Sequence, residues 1–185
     1  YVRADADLDA AVETLVDGAF FNSGQSCCGI ERIYVDAEVY DAFVAKAVEL
    51  TRQYKLGRPD DPETTLGPLV KPSAAAFARE QVEDALARGA TAHIDSSLFP
   101  ADDPSGAYMA PQILTGVDHS MRVMTEETFG PVVGIQKTFS DEEAIGLMND
   151  SEFGLTASVF TRDIERAVEL GGQIETGTFF TNRCD

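Results

Sequence analysis

Pro131-Val132-Val133-Gly134-Ile135-Gln136-Lys137-Thr138-Phe139 runs straight into Ser140-Asp141-Glu142-Glu143. Val132, Val133 and Ile135 are β-branched and close together, so residues 131–139 predict a strand buried on both faces, as parallel sheets require. Ser140 with Glu143 three residues later is a capping box, which predicts a helix from Ser140 to about Asn149, ahead of Gly154. Residues 155–161 predict the next strand. Residues 163–170 predict the next helix, stopped by Gly171-Gly172, and residues 176–182, carrying Phe179-Phe180, a last strand. Strand and helix alternate at roughly 20–25 residues per step, which predicts parallel pairing through right-handed crossovers. The expected class is α/β: an open, mostly parallel sheet with helices on both faces.

Outward from this core the pattern is looser. Leu8, Ala11, Val12, Leu15, Val16, Ala19 and Phe20 recur at helical spacing and predict a helix over 6–22. Val39, Tyr40, Phe43, Ala47, Val48 and Leu50 predict another over 37–54, and residues 73–88 a third, ended by Gly89. Short strands are expected at 30–35, 91–94 and 112–117. Residues 52–72 and 95–111 are broken by proline or glycine and read as loops. No change of composition divides the chain, so residues 1–185 read as one domain.

The composition narrows the function. With 185 residues, 44% of them hydrophobic and 25% charged, the chain can bury an ordinary core. Its 14 basic and 32 acidic residues give a net charge of −18. Such a surface repels nucleic acid and the cytoplasmic membrane face, and no apolar window is long enough to span a bilayer. The three cysteines include the adjacent pair Cys27-Cys28, there is no C-x-x-C pair, and there are two histidines. That argues against a disulfide framework and a closed zinc site, and for a reducing, cytoplasmic setting. Tyr1-Val2-Arg3 carries neither an initiator methionine nor a signal pattern, so the chain reads as a segment of a longer polypeptide.

Two stretches could carry chemistry. In Phe20-Phe21-Asn22-Ser23-Gly24-Gln25-Ser26-Cys27-Cys28-Gly29, a thiol sits in a glycine-bounded turn between a helix and a strand. Glycines let a substrate approach, and a main-chain N–H beside the sulfur can receive a developing oxyanion. The plainer alternative is a pair of small cysteines packed at a helix end. In Glu126-Glu127-Thr128-Phe129-Gly130-Pro131, a carboxylate can accept both hydroxyls of a diol and an aromatic can pack beside a ring. Its alternative is an acidic loop with a core phenylalanine.

Taken in order, the Gly24-Gln25-Ser26-Cys27 turn with Arg32 downstream, Leu66-Gly67-Pro68-Leu69, the Glu126–Pro131 turn, Asn149, Gly154-Leu155, Gly177-Thr178 and Asn182 form a set. Through nearly the whole chain this set resembles the NAD(P)-dependent aldehyde dehydrogenase superfamily. The resemblance implies that Cys27 is the nucleophile and that Cys28 is a packing neighbour. It implies that Glu127 holds the nicotinamide ribose of NAD or NADP, with Phe129 packed beside it and Leu155 lining the nicotinamide side. Phe21 and Ser23 would face the substrate tunnel, and Asn182 would lie near its mouth. The substrate would be an aldehyde and the parent a homodimer or homotetramer. Residues 1–185 would be a catalytic domain. The cofactor-binding domain and the general-base glutamate, in a Glu-Leu-Gly-Gly segment, would lie upstream, and an oligomerisation tail downstream. The piece alone would then be inactive. Two rivals stand beside this reading. One is a cysteine hydrolase or esterase using His93 or His119, both of which read as surface histidines. The other is a non-catalytic association module.

Overall fold

A computed structural model describes residues 1–184. The described strands are β1 (Arg32–Asp36), β2 (Thr91–Ala92), β3 (Gln112–Thr115), β4 (Val132–Thr138), β5 (Thr156–Val159) and β6 (Thr178–Thr181). β4 lies between β1 and β3 and is parallel to both, while β2 pairs antiparallel with β3 at the edge. β5 and β6 form a second parallel pair. Val2 joins the two groups by bridging to Val35 on one side and Phe160 on the other. The Val2 N–H donates to the Tyr34 carbonyl at 2.8 Å, and the Phe160 N–H donates to the Tyr1 carbonyl at 2.8 Å. Across the molecule the order is therefore β6, β5, Val2, β1, β4, β3, β2.

The helices are α1 (Leu8–Phe20), α2 (Tyr40–Thr51), α3 (Pro72–Ala87), α4 (Arg122–Thr125), α5 (Asp141–Asn149) and α6 (Ile164–Gly171). They cover both faces, as the sequence pattern requires. Ile33, Val35, Ile113, Val133 and Ile135 point to one side and pack with α1 and α2 through Val16, Phe20, Phe43 and Ala47. Tyr34, Leu114 and Val132 point to the other and pack with Ala78, Ala85, Ala144 and Leu170 of α3, α5 and α6. This strict alternation of sides is the period of two that a strand imposes. Burying each large apolar chain stabilises the fold by roughly 1.5–3 kcal/mol. No described helix is long and apolar enough to cross a membrane.

Three features differ from the sequence reading. β4 and β5, successive strands in the alternation, do not pair, because β1 and Val2 lie between them. The strand expected at 91–94 stops at Ala92. The Gln112 side chain takes over there, accepting from the His93 and Ile94 N–H groups and donating to the Ile94 carbonyl, each at 3.0 Å. The short α4 carries no periodic signature and was not expected. The helix starts agree better. Ser140 accepts from the Glu143 N–H at 3.1 Å, and the Glu143 carboxylate reaches back to the Phe139 N–H at 2.7 Å, one residue before the usual partner. Asp141 then accepts from Arg3 and Arg166, each at 2.9 Å, and from the Tyr1 hydroxyl at 3.0 Å. Burial pushes its carboxyl up, and these donors more than reverse that and hold it below the ordinary carboxylate range. The first residues of the chain are tied in this way to α5 and α6.

Candidate active site

α1 ends at Phe20, two residues earlier than the spacing predicts, because the chain turns left-handed. Asn22, Ser23 and Gly24 have φ of 50°, 59° and 74°. Such backbone costs an ordinary residue about 1–2 kcal/mol, so surrounding contacts must hold it. The Ser23 hydroxyl donates to the Gly67 carbonyl at 2.6 Å, and the Gln25 amide donates to the Asn22 carbonyl at 3.0 Å and to the Pro68 carbonyl at 3.3 Å. In return the Val70 N–H donates to Gln25 Oε1 at 2.7 Å. The Leu66–Leu69 loop is thus the brace of the thiol turn. On that brace Cys27 stands exposed, whereas Cys28 is half-buried with Sγ 3.3 Å from the Ser26 hydroxyl. Cys184 is 5% exposed, with Sγ 3.6 Å from the Thr14 carbonyl. Limited iodoacetamide is therefore expected to label Cys27 at least about tenfold faster than Cys184, as access controls thiol reactivity. Peptide mass spectrometry reads this, and equal labelling would remove the case that the turn presents its sulfur.

Cys27 borders a cleft of about 310 Å³ that opens between the β1 and β5 edges where Val2 no longer bridges them. Glu127 and Leu155 line the same cleft. No described residue hydrogen-bonds the Glu127 carboxylate, which leaves both oxygens available to a diol. The neighbouring positions of its turn are firmly held. Arg122 grips Glu126 through two bonds of 3.0 Å, and the Thr128 hydroxyl donates to Gln81 Oε1 at 2.6 Å. Phe129 has φ 50° and lies beside the cleft without lining it. The loop that delivers Leu155 is fastened by Asn149, which donates to the Gln173 carbonyl and accepts from the Glu175 N–H, each at 2.8 Å.

Three residues expected at the substrate tunnel do not line this cleft. Phe21 is 64% exposed and does not line the cleft. Ser23 is 1% exposed with its hydroxyl committed to Gly67, so it braces the turn and faces no opening. Asn182 lines a different hollow with Asp7, Phe160 and Arg162, and its side chain is spent on the main chain of Thr161, at 2.9 Å both ways.

Neither histidine lines the cleft. His93 is paired with the Thr115 hydroxyl at 2.7 Å. His119 is not a surface residue: it lies between the Tyr34 hydroxyl at 2.8 Å and the Asp150 carboxylate at 2.7 Å. Burial pushes the Tyr34 phenol up to about 12, so it remains a protonated partner there. A thiol–histidine hydrolase has no support in this arrangement.

Glu31 escaped the sequence reading. Its two oxygens accept from the Thr128 and Phe129 N–H groups, each at 3.0 Å. Burial pushes its carboxyl up against the downward pull of those amides, and the nearby Glu127 charge adds to the rise. The only local signal was an acidic residue at the mouth of a buried strand, four positions after a thiol.

A family model described as the aldehyde dehydrogenase family matches residues 1–185. The vanillin dehydrogenase of Pseudomonas fluorescens is 43% identical over 98% of the chain, and the chain spans 36% of that relative's length. An NADP-dependent glyceraldehyde-3-phosphate dehydrogenase from Bacillus halodurans C-125, solved with NADP, superposes on the whole chain with a TM-score of 0.92 and 37% identity, over 37% of its own length. A betaine aldehyde dehydrogenase from Staphylococcus aureus, solved with NAD+, gives a TM-score of 0.92 at 32% identity, over 99% of the chain and 38% of its own.

Proposed function

The chain belongs to the aldehyde dehydrogenase family, and on that premise we propose that it is the thiol-bearing part of an enzyme that oxidises an aldehyde with NAD or NADP as hydride acceptor. The observation that carries this reading is the exposed Cys27, on a strained and braced turn, sharing one cleft with the unengaged carboxylate of Glu127 and with Leu155. The Cys27 thiolate adds to the aldehyde carbon, a C–S bond forms, and the carbonyl electron pair moves to oxygen. In this reading the main-chain N–H of Cys27 receives that oxyanion. The dinucleotide, when bound, supplies the hydride acceptor, and the Glu127 carboxylate fits its nicotinamide ribose diol, with Phe129 alongside. Loss of hydride leaves a thioester on Cys27. Water, or the thiol of coenzyme A, cleaves the C–S bond to give the acid or acyl product and returns the sulfur.

Base catalysis and the grip on the rest of the dinucleotide are assigned to a partner domain outside residues 1–185, as the match to little more than a third of each relative's length suggests. The test compares two proteins in the presence of an aldehyde and NAD or NADP. NADH or NADPH absorbance should rise with the full-length protein and stay flat with residues 1–185 alone. A steady rise from the isolated piece would overturn this division of labour. Silence from the full-length protein across aliphatic, aromatic and semialdehyde substrates would overturn the activity itself.

A further inference from the structure

We propose that Glu31 is a positioning residue for the cofactor turn, gripping the main chain of Thr128 and Phe129 so that Glu127 is aimed into the cleft. The inference rests on the reading that Glu127 holds the nicotinamide ribose.

The geometry is unusual. Successive N–H groups of an extended chain point in opposite directions, so one carboxylate can take two in a row only where the backbone turns. The Thr128 and Phe129 N–H groups both reach Glu31, so the backbone turns at Thr128. One Glu31 oxygen takes the Thr128 N–H and the other the Phe129 N–H, at 3.0 Å each, across 97 and 98 residues of sequence. Bonds to an ionised acceptor are the stronger kind, and the partial burial of Glu31 shields them from water. The flanks of the turn are fixed through side chains, Arg122 on Glu126 and Gln81 on Thr128. Glu31 is the side chain that holds the main chain on the far side of Glu127.

Position along the chain adds to the case. Glu31 lies between Cys27 and β1, so its two hydrogen bonds tie the segment that follows the thiol turn to the turn carrying Glu127. It is unsuited to act as a base on the substrate, because both oxygens are already occupied by amides. The carboxylate with room to meet a ligand is Glu127.

The experiment uses the full-length dehydrogenase carrying Glu31→Gln, Glu127→Gln or both, with Glu31→Asp as a second variant. Glutamine presents an NH2 group to one of the two N–H donors and so sets donor against donor. The Kd for NADH or NADPH, read from dinucleotide fluorescence, should rise roughly ten- to hundredfold in Glu31→Gln, the scale of a lost charge-assisted hydrogen bond. The KM for aldehyde and the alkylation rate of Cys27 should stay within about twofold, since the hydrogen bonds of Glu31 run to the Glu127 turn. Hydrogen exchange at the Thr128 and Phe129 amides should quicken while Val132–Thr138 stays protected. In the Glu127→Gln background, Glu31→Gln should add less than about twofold to Kd, because residues acting through one another are not additive.

An unchanged Kd in a folded Glu31→Gln variant, or full additivity of the two substitutions, overturns the proposal. Should Glu31→Gln leave β4 unprotected and the protein unfolded, Glu31→Asp decides. It keeps the charge and shortens the reach, and it should weaken the dinucleotide with the fold intact; wild-type affinity in that variant overturns the proposal. A wild-type protein that binds no dinucleotide would instead sink the cofactor reading, which separates the two failures.

Discussion

Replacing Cys27 with serine should lower aldehyde oxidation by the full-length protein on the order of a thousandfold or more, the range seen when a covalent nucleophile is removed from other enzymes. Sulfur is a far better nucleophile toward a carbonyl carbon than a serine hydroxyl, which needs a strong base beside it to attack at all. Neither His93 nor His119 lines the cleft, so a serine would depend wholly on the base assigned above to the partner domain. Serine would also add the same carbon more slowly, and its ester would replace the thioester that eases acyl release. Cys28→Ser is the control. That sulfur is half-buried against the Ser26 hydroxyl, so the change should cost less than about fivefold, as an isosteric swap near a surface does. Initial rates of NADH or NADPH formation measure both. Mass spectrometry of enzyme quenched during turnover should find an acyl adduct on the Cys27 peptide of the wild type and none on that of the serine variant. Activity within tenfold of wild type in Cys27→Ser would remove the covalent mechanism.

The sequence revealed the core of this molecule because its signals are local. The β-branched run of β4 and the capping box of α5 each fit within a few residues, and the alternation of faces in β1, β3 and β4 follows from backbone period alone. Cys27, Glu127 and Leu155 stood out for a similar reason, since each sits in a short motif, and the fold brings them to one cleft. What stayed hidden depends on distant partners. Nothing between Leu8 and Asn22 foretells that α1 stops at Phe20; the left-handed turn is held by carbonyls of Gly67 and Pro68, more than 40 residues away. Ser23 looked like a pocket residue because its hydroxyl's partner lies in that loop. Nothing near Asn182 in sequence reveals that its amide is spent on Thr161, 21 residues away. His119 read as exposed because Tyr34 and Asp150 come from two other elements. Glu31 shows the limit most sharply: its role exists only once the fold brings residues 128 and 129 to it.

Gly24→Ala should destabilise the protein by roughly 2–5 kcal/mol, adding the ~1–2 kcal/mol of a left-handed alanine to the ~1–3 kcal/mol of an overpacked contact. Gly24 has φ 74°, which only glycine adopts without penalty. A methyl group there would also fall well inside contact distance of the Gly130 carbonyl, and that obstacle is main chain, with no rotamer to swing away. Gly130 has little room to retreat, since a Cβ built on it would meet Ala78 at 3.1 Å and its own carbonyl already accepts the Val132 N–H at 2.8 Å. The strain must therefore spread into the two turns that meet at this point, one carrying Cys27 and the other carrying Glu127. For a domain of this size the loss corresponds to a fall in Tm of roughly 4–20 °C. Gly67→Ala is the internal comparison, because Gly67 lies in the brace of the same turn yet a Cβ built on it meets nothing within 4 Å. Its Tm should stay within about 2 °C of wild type, as for an unobstructed surface site. Circular-dichroism melts of both variants, with iodoacetamide labelling of Cys27, measure the effect. If Gly24→Ala melts with the wild type and keeps its labelling rate, then the close contact of the two turns is not what sets the Cys27 turn against the Glu127 turn.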